Sequence, residues 1–220
     1  TISAGYKAAA AYAGGKVIQD VGGGICQISS TLYNAVLLAN LEITDRSNHC
    51  FETSYVTAGR DATVNWGTVD FQFKNNRKYP IKIETTAGGG IATAKIHGLK
   101  EENEYEVVIQ SKVTSYISRT TRYKNDSTMD EGKEVIEDNG FDGCNSETYK
   151  ILKLNGEVVS QTLISRDSYD PMDRVIIRGT KKVVKPEQEV PVNKGNEEQE
   201  PTQEQNQTEN QEENNNKPNT

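Results

Sequence analysis

Three glycines, Gly22-Gly23-Gly24, lead through Ile25 into Cys26, and a helix-like stretch over residues 27–39 begins at once. A thiol at a helix N-terminus feels the positive end of the macrodipole, which favours the thiolate. The glycines let backbone N–H groups come close to whatever lies beside the sulfur. A nucleophile and a cradle for developing negative charge are thus suggested by one short segment. Gly23, Gly24 and Gln27 form the candidate substrate-binding residues around it. A thiolate nucleophile wants a base or cation nearby. The chain has only two histidines, His49 and His97. His49 lies in a polar loop, Arg46-Ser47-Asn48-His49-Cys50, that can return over the helix N-terminus; His97 reads as a surface residue at a strand end. The orienting third group has three candidates, Asp61, Asp70 and Asn48, and Asp61 enters the catalytic set with Cys26 and His49. Arg60 could hold a substrate carboxylate bidentately, or pair with Asp61 as a structural ion pair. Tyr55 reads as packing. No metal is expected: in a site of Cys26, His49 and Cys50 the adjacent His-Cys ligands sit awkwardly for one tetrahedral ion. The segment also lacks the Lys-Ser/Thr of a phosphate loop and the spacing of a dinucleotide fingerprint, so no cofactor is expected.

Several elements must position these residues. Ile28, Leu32, Ala35 and Ala39 recur at helical spacing, and Val36-Leu37-Leu38 makes 27–39 apolar nearly all round, which predicts a buried central helix. Lys16-Val17-Ile18, Leu41-Glu42-Ile43 and Ser54-Tyr55-Val56 read as short strands. Val69–Phe73 and Pro80–Glu84 alternate at period two about an Asn75-Asn76 turn and predict a hairpin. Gly88-Gly89-Gly90 turns into a further strand over 91–96. Residues 1–98 are therefore expected to form one small domain, an antiparallel sheet packed on the helix, of α+β class. Residues 103–182 read as a second, mostly β domain, with strands near 105–110, 149–154, 158–165 and 175–177. Asn155-Gly156 is its strongest hairpin signal.

Composition separates a third region. From Pro186 the chain is mostly Glu, Gln, Asn, Pro and Thr, with nine acidic and two basic residues. The net charge of -7 belongs wholly to this tail; residues 1–185 are balanced. A tail with two valines as its only sizeable apolar residues cannot bury enough surface to fold, and 186–220 is expected to be a disordered acidic segment. The neutral remainder shows no basic stripe, which argues against nucleic acid as a partner. No apolar run approaches about 18 residues, so no membrane segment is expected in this chain. It opens in mid-domain sequence at Thr1 and reads as a piece of a longer protein, so targeting signals are not informative. Three cysteines, Cys26, Cys50 and Cys144, leave at least one thiol unpaired within a monomer and follow no disulfide-scaffold spacing.

The run GGGICQISSTLYNAVLLANLEI, then His49, SYVTAGRDATV, VDFQFKNN and Tyr79-Pro80-Ile81 resembles the VanW-like family of bacterial cell-envelope proteins. The likeness covers about residues 5–97, with the N-terminal part of the family domain missing. Residues 103–182 resemble the small β domain named for its five glycines, here Gly132, Gly140, Gly143, Gly156 and Gly179, with Arg178-Gly179-Thr180-Lys181 at its end. The first resemblance implies a cell-wall protein of Gram-positive type, extracellular and associated with glycopeptide response. It further implies L,D-transpeptidase activity with Cys26 as nucleophile, forming 3-3 peptidoglycan cross-links through a thioester, or L,D-carboxypeptidase activity when water resolves the thioester. In that scheme Arg60 holds the terminal carboxylate of the donor stem. The second resemblance implies an adhesive or sugar-binding surface module. Peptidoglycan stem peptides, with glycan as a further contact, are the implied partners. The competing reading is a non-catalytic protein that grips the wall with both regions, in which the Cys26 sulfur has no imidazole within reach.

Overall fold

The structure is a computed structural model that describes residues 2–13, 16–22, 24–102 and 104–183. Gly14-Gly15, Gly23 and the acidic tail beyond Pro186 lie outside the described residues, so the expectations placed on them do too.

Twelve strands and one α-helix make up the regular structure of the described residues, apart from a single turn of 3-10 helix at Ile2–Ala4. Strands β1 (Ala8–Ala13) and β2 (Lys16–Val21) form an antiparallel hairpin that leads into the helix α1 (Ile25–Leu38). Strand β3 (Glu42–Asp45) pairs with β4 (Gln72–Lys74), and β5 (Lys82–Gly88) pairs with β6 (Ile91–His97), both antiparallel. The longer strands come next. β7 (Glu106–Ile117), β10 (Gly143–Leu154) and β11 (Glu157–Tyr169) form one antiparallel sheet in the order β11-β10-β7. β8 (Thr121–Asp130), β9 (Glu134–Asp138) and β12 (Arg174–Lys181) form another in the order β8-β12-β9, with β12 parallel to β8.

The α+β expectation is therefore corrected: the chain is mostly β, small sheets followed by a long-stranded β region. The single helix is 14 residues long and buries one face, not all of them. Ser30, Tyr33, Val36 and Leu37 are buried, whereas Ile25, Ile28 and Leu38 are exposed. The near-continuous apolar run of its last turn thus overstates its burial. α1 packs against β6, β7 and β3 and ends in a left-handed Asn40 (φ 54°). Leu41 N–H reaches back to the Val36 carbonyl and Asn40 N–H to Leu37, which satisfies carbonyls the helix would leave open. The expected pairing of 69–73 with 80–84 is also corrected. β4 joins β3, and β5 joins β6 across the Gly88-Gly89-Gly90 turn. No strand forms at 54–56. The Asn155-Gly156 turn is present with both residues at positive φ, 54° and 87°, as a two-residue hairpin of matching twist requires.

An irregular strap, residues 57–64, binds these parts together. On one side Ser29 and Ser30 of α1 donate to the Ala62 carbonyl, and Ala62 N–H donates to Ser30 Oγ. On the other side the strap lies on the start of β10, where Cys144, Ser146 and Thr148 alternate inward with Ala58 among them. Gly59 makes this approach possible. It has φ +84°, and a Cβ there would stand 2.2 Å from Thr148 Oγ1.

Candidate active site

Cys26 occupies the first turn of α1, two residues after Gly24, which adopts the N-cap position without a side-chain cap. Gly22 turns the chain into the helix: its φ is +93°, and Ile25 N–H donates to its carbonyl. The N–H groups of Cys26 and Gln27 belong to the helix start, where no intrahelical carbonyl precedes them. Gly24 and Gln27 are exposed at this end; Gly23 lies outside the described residues. The half-buried Cys26 sulfur is 3.4 Å from the Val64 carbonyl, to which the thiol donates, and 3.7 Å from Thr63 Oγ1.

The strap that delivers Thr63 and Val64 also delivers Asp61, and it pairs with the His49 loop through Thr63 N–H and the Ser47 carbonyl. Asp61 is buried, and its Oδ2 takes two bonds from one residue: His49 backbone N–H at 2.7 Å and His49 Nδ1 at 2.6 Å. That double attachment fixes the imidazole plane. With Nδ1 given to Asp61, Nε2 is the nitrogen that meets the Tyr55 hydroxyl, 3.3 Å away. Tyr55 also closes edge-on over the His49 ring, with centroids 6.2 Å apart.

Cysteine and histidine shift one another. Burial alone would push the Cys26 thiol up; the His49 imidazole and the Thr63 hydroxyl help to outweigh it, and the thiol pKa falls below its ordinary value. Burial would likewise depress His49, but its bonds to Asp61 and Cys26 raise its pKa to about 9. A lowered thiol and a raised imidazole each favour the charged form of the group. Asp61 stays ionised: burial raises its pKa, yet bonds from His49, Tyr169 and Arg46 bring it below the usual carboxylate value. Tyr55 moves the other way, its hydroxyl held neutral by burial with a pKa pushed up to about 12.

The three candidates for the third group are placed differently. Asp61 meets the imidazole. Asp70 accepts from Phe71 N–H and the Gln72 amide on an exposed turn, and Asn48 donates to the Ser168 carbonyl. Arg60 is not brought to the sulfur. Its guanidinium donates to Asn34 Oδ1 and the Ile109 carbonyl. Asn34 lies eight residues beyond Cys26, about 12 Å along the helix axis. Arg60 is thus occupied in packing the strap on α1. His97 is exposed and lies 3.6 Å from Glu84. The other thiols are elsewhere: Cys50 is exposed, and Cys144 is buried with a pKa pushed up to about 11 by burial and by Glu52.

Sequence reading missed the outer ring of the site. Arg46 donates to the Asp61 carbonyl at 2.6 Å, to Asp61 Oδ1 at 3.0 Å and to Asp167, and its guanidinium lies over the Tyr33 ring. Tyr169 donates to Asp61 Oδ1 at 2.5 Å and accepts from Gly59 N–H at 2.7 Å. Both Asp167 and Tyr169 are more than 100 residues away from Asp61, and no local spacing announces them. An open cleft of about 680 Å³ runs beside Tyr55, lined by residues 52–57 with Phe141 and Asp142. A second cavity, of about 350 Å³, lies at the other end of α1 around Leu38–Leu41 and Leu99.

Comparison with known proteins finds two family matches along the chain. Residues 1–97 match the family described as VanW like protein, and residues 108–181 match the G5 domain. The chain joins a VanW-like region to a G5 domain. An uncharacterized protein of Bacillus subtilis (strain 168), YoaR, is 49% identical over 90 residues. That alignment covers 41% of this chain and only 30% of YoaR. Two solved structures are also similar. One is the G5 domain of IgA1 protease, at 24% identity over 37% of this chain and 98% of that one, with a TM-score of 0.26. The other is HP0197-G5, at 17% identity over 34% of this chain and 99% of that one, with a TM-score of 0.22. VanW-like and G5 domains are typical of extracellular proteins associated with the cell wall. No helix among the described residues is long and apolar enough to cross a membrane.

Proposed function

We propose that the VanW-like region is a cysteine-dependent acyltransferase of the cell wall, an L,D-transpeptidase that forms 3-3 cross-links between peptidoglycan stems. One observation carries this reading: Asp61 fixes the imidazole of His49, and the same strap sets Thr63 and Val64 against the Cys26 sulfur at a helix N-terminus. A purely wall-gripping protein has no use for an imidazole oriented by a buried carboxylate in the same region as a thiol whose pKa is lowered.

The Cys26 thiolate attacks the carbonyl carbon of the third residue in a donor stem. The carbonyl oxygen takes up the negative charge as the S–C bond forms. N–H groups of the first helical turn, those of Cys26 and Gln27, are the donors placed to receive it. His49 then gives its Nε2 proton to the departing amine, the C–N bond breaks, and D-Ala leaves from a thioester on Cys26. In the second half the side-chain amine of another stem attacks the thioester carbonyl. His49 takes the amine's proton and the thiolate is expelled. Water in place of the amine gives the carboxypeptidase outcome. The cleft beside Tyr55, whose hydroxyl reaches His49, is the room open to an acceptor in this reading. With Arg60 held by Asn34 and Ile109, recognition of the donor's terminal carboxylate falls to other groups.

Residues 1–98 are the reacting part in this proposal, and the G5 region contacts wall components. The test is mass analysis of sacculi incubated with the protein. New 3-3 cross-linked dimers are expected with the parent and not with Cys26→Ala. Equal cross-linking by both proteins would contradict the proposal.

A further inference from the structure

We infer that Tyr169 and Asp167, at the end of the long strand β11, are positioning residues for the Cys26–His49 pair, so that the reactive centre is completed by the G5 region and does not belong to the VanW-like region alone. His49 owes its orientation to Asp61 Oδ2, which accepts both its ring Nδ1 and its backbone N–H. The other oxygen of Asp61 is held as well. Oδ1 has two donors: Arg46, within the VanW-like region, and the Tyr169 hydroxyl. Arg46 is in turn gripped by Asp167. The Tyr169 hydroxyl has a second role, because it accepts from Gly59 N–H, two residues before Asp61 on the same strap. One buried hydroxyl therefore sets both the height of the strap and the rotation of its carboxylate.

Nothing in the packing alone demands these polar atoms. Tyr169 is fully buried beside Ala58, Cys144 and Val113, a setting in which phenylalanine would fill the same volume. Asp167 and Arg46 form a buried charge pair, which brings little net stability over apolar residues of similar size. What the groups share is a line of hydrogen bonds that ends on the imidazole: β11 to Asp61, and Asp61 to His49.

The inference deepens the acyltransferase reading, which supplies the role of the pair, but its test needs no substrate. In the full chain, the protonation of the His49 ring is followed by nitrogen-detected NMR across pH. His97, exposed, serves as the internal comparison. In the parent, His49 is expected to hold its second proton up to pH about 9. Tyr169→Phe keeps the ring and removes the hydroxyl, freeing Asp61 to turn from Nδ1. The His49 midpoint should then fall by at least about one pH unit, a tenfold change in the protonation equilibrium. Asp167→Ala, which releases Arg46, should move it the same way. An unchanged His49 midpoint in a folded variant overturns the inference. Loss of the fold in both variants also overturns it, since the residues would then be general supports. If the parent itself shows an ordinary midpoint, the acyltransferase reading fails and not this one alone.

Discussion

Cys26 and His49 bias each other's protonation in opposite directions, and that fixes the pH behaviour of the proposed chemistry. The thiol titrates below its ordinary value of 9.0, so the nucleophile is gained as pH rises through that lowered value. The imidazolium that must protonate the leaving amine is lost as pH rises through about 9. Acyl transfer should therefore follow a bell, rising on the thiol limb and falling near pH 9, while simple alkylation by iodoacetamide should show only the rising thiol limb. A single rising limb for acyl transfer would remove His49 as the proton donor. Asp61→Asn should lower the turnover rate by about 10²-fold or more, because the amide can no longer hold the imidazolium at Nδ1. Steady-state rates on a donor stem peptide check this. At this scale the sequence was informative where local pattern sufficed: a glycine run into a cysteine, and one histidine in a polar loop of the same region. An aromatic residue in a loop reads as packing, and only the return of the Tyr55 loop over His49 reveals the hydroxyl contact. For Arg60 the sequence leaves two readings open, a bidentate clamp for a substrate carboxylate and a structural ion pair with the adjacent Asp61. In the strap the two side chains are used apart, Asp61 toward His49 and Arg60 toward α1.

Among the elements, the strap over 57–64 decides whether the centre forms. It carries Asp61, Thr63 and Val64, and it has almost no regular structure of its own to hold it. Gly59 lets it settle on β10. Gly59→Ala combines a positive φ with a Cβ that meets Thr148 Oγ1 at 2.2 Å, and should cost about 3 kcal/mol in folding free energy. Gly132→Ala has a similar φ, +87°, but open space around the new methyl, and should cost about 1 kcal/mol. Urea unfolding midpoints of the two variants test the difference; equal costs would mean that the strap does not need this close contact. Turn chemistry made Asn155-Gly156 readable, since a two-residue hairpin needs positive φ at both positions. Strand partners were not readable in the same way. Val69–Phe73 and Pro80–Glu84 alternate as a hairpin would, yet β4 joins β3 and β5 joins β6, because alternation marks a strand without naming its neighbour. β8, with the sequence TRYKNDSTMD, is so polar that its pairing with β12 carries the whole signal.

For the whole molecule, residues up to Val183 group as one compact unit, and the hydrogen bonds from β11 to Arg46 and Asp61 are part of the reason. Asp167→Ala leaves the buried Arg46 with one carboxylate in place of two and should lower stability by about 3 kcal/mol, seen as a lower denaturation midpoint. The α+β expectation failed at this scale for a related reason. An apolar stretch of helical period is easy to see, whereas the long strands from β7 to β12 carry mixed polar faces, and their length makes the chain mostly β. The central claim concerns one sulfur, and intact-protein mass spectrometry after mixing with a tetrapeptide donor stem reads it directly. The account predicts a covalent acyl adduct of the donor lacking its terminal D-Ala, mapped to Cys26, labile to hydroxylamine and absent in Cys26→Ala. No adduct at any pH on the thiolate limb, or an adduct on Cys50 that persists in Cys26→Ala, would contradict it.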